Sequence, residues 1–122
     1  MATHYKMIDD NGTSSIETLD APVFTPTDHE GWFGQAFEAS GLFCFILKVE
    51  SEAAEFPLHA APEAWIGYVV AGNGTLYSGD GAGDKLKEVS YNTGDFFTFE
   101  PKTQHAWKNG VGESKIFFAK VA

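Results

Sequence analysis

From Gly41 onward the chain is cut by turn signals every eight to twelve residues, and nothing else in it constrains the fold as tightly. The turn clusters are Gly72-Asn73-Gly74, Gly79 to Asp84, Tyr91-Asn92-Thr93-Gly94 and Asn109-Gly110-Val111-Gly112. Between them lie short runs rich in aromatic and β-branched residues: Leu42–Val49, Ala64–Ala71, Gly74–Ser78, Lys85–Tyr91, Asp95–Phe99, Gln104–Lys108 and Lys115–Val121. Such spacing leaves no room for long helices. It predicts an all-β antiparallel sandwich or small barrel. The 122 residues suffice for one core but not two, and eleven Phe give that core bulky side chains.

The first forty residues read differently. Residues 1–20 are polar and unpatterned around an Asp9-Asp10-Asn11-Gly12 turn, and are expected to lie over the surface or reach a partner subunit. Thr27 and Glu30 have capping-box spacing, which allows a short helix before Ser40 that Gly31 and Gly34 would weaken. The expected division is therefore residues 1–40 as an N-terminal arm, with a short helix or extra strands, and residues 41–122 as the barrel domain.

Charge excludes several partners. The chain has seventeen acidic residues against eight basic ones, for a net charge of -9, and all eight bases are lysines. Arginine supplies the planar fork that grips phosphates and guanine edges, so nucleic acid and anionic membrane surfaces are excluded as partners. Eleven of the acids and only Lys6 and Lys48 fall before residue 65, and the remainder is neutral. The lone Cys44 has no internal disulfide partner and reads as a small apolar side chain. No basic stretch leads into an apolar run at the start, and apolar runs are short, so a cytoplasmic protein is expected. His4 and His29 sit in polar context and are expected to be solvated; His59 and His105 each flank a strand pattern.

Two segments carry a family resemblance. Pro57-Leu58-His59-Ala60-Ala61-Pro62-Glu63-Ala64-Trp65-Ile66-Gly67-Tyr68-Val69-Val70-Ala71-Gly72-Asn73-Gly74 resembles the first motif of the cupin superfamily. Gly94-Asp95-Phe96-Phe97-Thr98-Phe99-Glu100-Pro101-Lys102-Thr103-Gln104-His105-Ala106-Trp107-Lys108-Asn109 resembles the second, with its Gly-Asp, Pro, His and Asn in order. About twenty residues separate the motifs, as in compact members. The resemblance implies a single-domain jelly roll (double-stranded β-helix) whose motif histidines and glutamate bind one divalent metal.

Departures from the motifs are equally informative. Trp65 stands where the family places its glutamate, and Ala61 where it places the second histidine. Thr103 stands near the family's glycine, and Pro101 is one residue closer to His105 than usual. What remains is His59 and His105, with Glu63 as a replacement third ligand if the chain bends at Pro62. A 2-His-1-carboxylate set suits Fe, Zn, Ni or Mn. Without a third ligand, the two histidines are an acid–base pair, since imidazole titrates near neutrality.

Trp65, Tyr77, Phe97, Phe99 and Trp107 are expected to wall a pocket for a small organic ligand, or else to plug the barrel as core. The resemblance thus implies an enzyme of dioxygenase, isomerase, cyclase or lyase type, with His59 and His105 catalytic. The alternatives are a non-catalytic ligand-binding or sensory barrel that has lost its metal, and a structural barrel beside a separate enzyme. The acidic rim favours a neutral or cationic, partly aromatic ligand. A homodimer is expected, paired through edge strands or an exchanged N-terminal arm.

Overall fold

The computed structural model describes residues 2–39 and 41–121, and every regular element among them is a strand. An outlying hairpin comes first, β1 (Thr3–Asp10) and β2 (Thr13–Asp20). It is followed by β3 (Thr25–Pro26), β4 (Trp32–Ala39), β5 (Leu42–Val49), β6 (Glu55–His59), β7 (Trp65–Ala71) and β8 (Asn73–Gly79). The chain ends with β9 (Lys85–Asn92), β10 (Phe96–Phe99), β11 (His105–Asn109) and β12 (Ser114–Val121). With no helix among the described residues, none is long and apolar enough to cross a membrane.

Two antiparallel sheets make the barrel, one of six strands in the order β10-β7-β12-β5-β4-β3 and one of four in the order β6-β11-β8-β9. The crossovers in both orders give the jelly roll. Period-two alternation aims one side of each strand inward. In β12, Ser114, Ile116 and Phe118 are buried while Lys115, Phe117 and Ala119 lie half-exposed on the outer face. Trp32, Leu47, Val49, Val69, Ile116 and Phe118 from the larger sheet meet Trp107 and Tyr91 from the smaller, forming one continuous core.

Two polar features hold the end of the barrel opposite the histidines. Asn109 is 2% exposed; its Nδ2 donates to the carbonyls of Ser51 (3.0 Å) and Gly112 (2.9 Å), and its Oδ1 accepts from Ser114 Oγ (2.6 Å). One side chain thus joins the β5–β6 loop to the β11–β12 turn and the start of β12. Gly72, between β7 and β8, has φ +104°, and a Cβ there would lie 2.7 Å from Ser114 Cα. Both the backbone angle and the close approach require glycine.

Of the short helix or extra strands expected before Ser40, the structure has the strands, β3 and β4. Gly31 takes φ +88°, which ends any helix, and Thr27 Oγ1 accepts from the His29 amide and donates to the Trp32 carbonyl within a tight turn. β4 then pairs along its whole length with β5, from Trp32↔Val49 to Ala39↔Leu42. A division at residue 40/41 would cut this hairpin at its turn; Ser40 itself lies outside the described residues. The barrel takes in the chain from Thr25, and only the β1–β2 hairpin stands apart from both sheets.

Candidate functional site

The site grows from one register row of the four-stranded sheet. His59, the last residue of β6, is the partner of His105, the first of β11; His105 is the partner of Ser78 on β8. Partners in register share a face, so these side chains point to one side of the sheet. The next row inward holds Phe56, Trp107, Leu76 and Val89. The imidazoles meet edge to face, 4.3 Å between centroids.

Each imidazole is held the same way. His59 Nδ1–H donates to the Pro57 carbonyl and His105 Nδ1–H to the Thr103 carbonyl, both at 2.8 Å. A carbonyl can only accept, so the proton sits on Nδ1 and the Nε2 lone pair is left for a ligand. His105 is buried, stacked on Phe99 at 3.9 Å with 3° between planes. Burial, and next the charge on His59, lower its pKa to about 4 against the raising effect of the Thr103 bond. At neutral pH His105 is therefore uncharged.

Phe99, His105 and Trp107 are nearly parallel, and Phe97 continues the aromatic wall beside Phe99. A cleft of about 420 Å³ opens along this wall, between β10 on one side and β8 and β9 on the other. His105, Phe97 and Phe99 line it with Ser78, Lys87, Gln104 and Leu76. Ser78, Lys87 and Gln104 did not stand out in the sequence. The available signal was strand parity, since His105↔Ser78 follows once the β8–β11 register is known.

Of the other expected pocket residues, Tyr77 lines the cleft and the two tryptophans do not. Trp107 is 2% exposed and belongs to the core. Tyr77, between Leu76 and Ser78 on β8, is buried and lines the cleft as expected, with the Lys85 ammonium 4.3 Å from its ring centre. Trp65 is in the other sheet, edge-on to Phe45 and Phe43, and borders a separate hollow with Leu42 and Lys120. His29, expected in solvent, packs edge-on against Phe56 at 4.4 Å, and Phe56 in turn touches His59.

Glu63 does not join the histidines. Its carboxylate pairs with Lys120 at 3.1 Å, beside the Trp65 ring. Among the described residues no three His, Cys, Asp or Glu side chains gather closely enough to hold a metal ion. The expected set of His59, Glu63 and His105 is thus reduced to two. The strand alternation that aims Trp65 inward at the glutamate position leaves Glu63 in the loop before β7, within reach of β12. A catalytic divalent ion normally takes three protein ligands. The donor set here falls one short and does not fit a resident metal.

A family profile described as "Cupin domain" matches residues 45–118, more than half of the chain. The chain belongs to the cupin family. No protein of curated description matches its sequence. Among solved structures, this cupin is similar to Lactobacillus farciminis oxalate decarboxylase in its formate complex, at TM-score 0.67 and 20% identity over 82% of this chain and 30% of that one. It is also similar to an RmlC-like cupin from Shewanella frigidimarina, at TM-score 0.63 and 17% identity over 80% of this chain and 81% of that one. A Bacillus subtilis oxalate decarboxylase structure described by its Mn(II) centres matches at TM-score 0.64 and 16% identity, over 79% of this chain and 26% of that one. This cupin spans less than a third of the decarboxylase chains, and at these identities the likeness establishes the fold alone.

Proposed function

We propose that this cupin binds a small, neutral, partly aromatic molecule in the cleft between β8–β9 and β10, and moves a proton on it through the His59–His105 pair. The observation that carries this reading is the pair itself. Two imidazoles face each other with both Nδ1 protons tied to backbone carbonyls, and the buried one borders the cleft. Nε2 of His105 accepts a hydrogen bond from a ligand hydroxyl or amine, and the flat part of the ligand lies against Phe97 and Phe99. His59, the more exposed ring, hands the proton on to solvent. The cleft is at the small end of ligand-sized pockets, which run from about 300 to 1,000 Å³.

A second reading, a binding barrel without turnover, is favoured by one observation. A histidine held near pKa 4 is a reliable hydrogen-bond acceptor but a weak base at neutral pH. Both readings dispense with a resident metal.

A thermal-shift screen of small neutral aromatic molecules carrying a hydroxyl or amine tests the site, because a ligand specific to the native state raises its melting temperature. Hits are expected to lose about tenfold or more in affinity in His105→Gln, the cost of one lost hydrogen bond. Hits that bind His105→Gln unchanged refute the site. Chemical conversion of a hit selects the enzyme reading over the binding one. Elemental analysis of untagged, chelator-free protein is expected to give well under one equivalent of Fe, Zn, Ni or Mn. One equivalent that disappears in His59→Ala/His105→Ala would overturn the metal-free reading.

A further inference from the structure

Lys120 stands where the sheet calls for an apolar side chain. Along β12 the inward positions Ser114, Ile116 and Phe118 are all buried, and Lys120 is the next of that series. Its register partner on β5 is Phe43, so the two side chains share a face. Only 20% of the Lys120 side chain is exposed. Its ammonium lies 5.8 Å from the Phe43 ring centre and 5.7 Å from that of Trp65. Lysine is rarely covered to this extent without a partner. Here the partner is Glu63, at 3.1 Å and with 44% of its side chain exposed.

The two members of this pair differ in kind. Lys120 is carried by a strand flanked by β5 and β7, and its ammonium is bordered by two aromatic rings. Glu63 sits in the loop before β7 and reaches in from the solvent side. An ion pair that only held this loop would need no cavity, yet a hollow of about 400 Å³ opens beside it. Leu42, Ala64, Trp65 and Phe99 line the hollow, Glu100 adds a carboxylate, and among the described residues Lys120 is its one cation. Thr98 and Phe99 are the wall it shares with the cleft beside His105. Its size lies within the range of ligand cavities.

We propose that this hollow is a second ligand site, which takes an α-amino acid with an apolar side chain as its zwitterion. The ligand carboxylate replaces Glu63 on the Lys120 ammonium, and the ligand ammonium pairs with the displaced Glu63 carboxylate. A simple acid would bring a third negative charge against Glu63 and Glu100. A simple amine would compete with Lys120 for Glu63. A zwitterion leaves each charge paired and adds none, which matters where water is partly excluded. Its side chain lies against Trp65 and Leu42, out of water. Two departures from the cupin motif thus act together: Trp65, in the glutamate's place, supplies a wall, and Glu63, away from the histidines, supplies the counter-charge.

Isothermal titration of the full-length chain with L-leucine, L-methionine and L-phenylalanine tests the site. At least one is expected to bind. Its analogues lacking the carboxylate or the ammonium (for phenylalanine, 2-phenylethylamine and 3-phenylpropionate) are expected to bind at least about tenfold more weakly. Lys120→Met keeps an apolar stem and removes the charge, while Glu63→Gln changes a half-exposed loop side chain and leaves the core as it is. Each is expected to weaken amino-acid binding about tenfold or more, with a cooperative thermal transition retained. Failure of all three amino acids to bind overturns the proposal. So does an acid or amine that binds as tightly as its zwitterion, or wild-type affinity in Lys120→Met or Glu63→Gln.

Discussion

Acid should unfold this cupin through one imidazole. His105 is 6% exposed, with Phe99 stacked on one side and His59 against its edge, so a proton on it has neither water nor a carboxylate to settle beside. The folded ring holds its pKa at about 4, while in the unfolded chain it returns to 6.5. Because the unfolded chain takes up the proton first, stability is complete above pH 6.5 and falls as pH drops toward 4. The difference is worth about 3 kcal/mol at 1.36 kcal/mol per pH unit. In urea, where unfolding slopes run near 2 kcal/mol per molar for small proteins, that moves the midpoint down by about 1.5 M. Urea titrations at pH 7 and pH 4.5, followed by circular dichroism, measure it. His105→Gln cannot take up a proton, and its midpoint is expected to fall by about 1 M less than that of the wild type. His59→Gln removes the second cause of the shift, so its acid loss is expected to be intermediate. Equal acid losses in the wild type and His105→Gln would refute the reasoning.

Two further outcomes test the barrel's frame. Asn109→Ala removes three hydrogen bonds, leaving the Gly112 carbonyl unpaired while the Ser51 carbonyl keeps the Ala54 amide and Ser114 Oγ keeps the Asn73 carbonyl, for about 3 kcal/mol. Calorimetry should show a melting temperature lower by about 10 °C, and a loss under about 1 kcal/mol would show that the loops hold themselves. Gly72→Ala meets both a left-handed backbone and Ser114, whereas Gly94→Ala, at φ +92° with open space around it, meets only the backbone term of about 1–2 kcal/mol. Denaturant titrations should rank Gly72→Ala as clearly the more damaging, and equal costs would show that Ser114 moves aside.

The strands were legible wherever apolar alternation and glycine turns coincide. The apolar run Leu42–Val49 coincides with β5 to the residue, and the turn cluster ending at Asp84 is a hairpin turn between β8 and β9, with Asp80 accepting from the amides of Ala82 and Asp84. β6 was not legible because Pro57 interrupts its pattern. An edge strand tolerates that proline, and its carbonyl orients His59. β1 and β2 were not legible because no core selects their side chains, although Asn11 (φ 53°) and Gly12 (φ 90°) form the turn that Asn-Gly announces. At the site, the histidines were recognisable from their motifs. Where Glu63 and Trp65 point was not, because it depends on the residue at which each strand begins, and a shift of one reverses every side chain.

The parallel stack of Phe99, His105 and Trp107 also gives this cupin an optical readout of its own site. The indole of Trp107 lies 5.6 Å from the imidazole of His105, with 3° between their planes. A protonated imidazolium quenches indole emission and a neutral one does so far less, and His59 lies as close to this indole, at 5.5 Å, so the charge on the histidine pair is written into fluorescence at Trp107. Trp32 and Trp65 face phenylalanine or tryptophan edges and contribute a steadier background. Filling the cleft, moving the proton or repacking Phe99 should each change the emission without any label being attached.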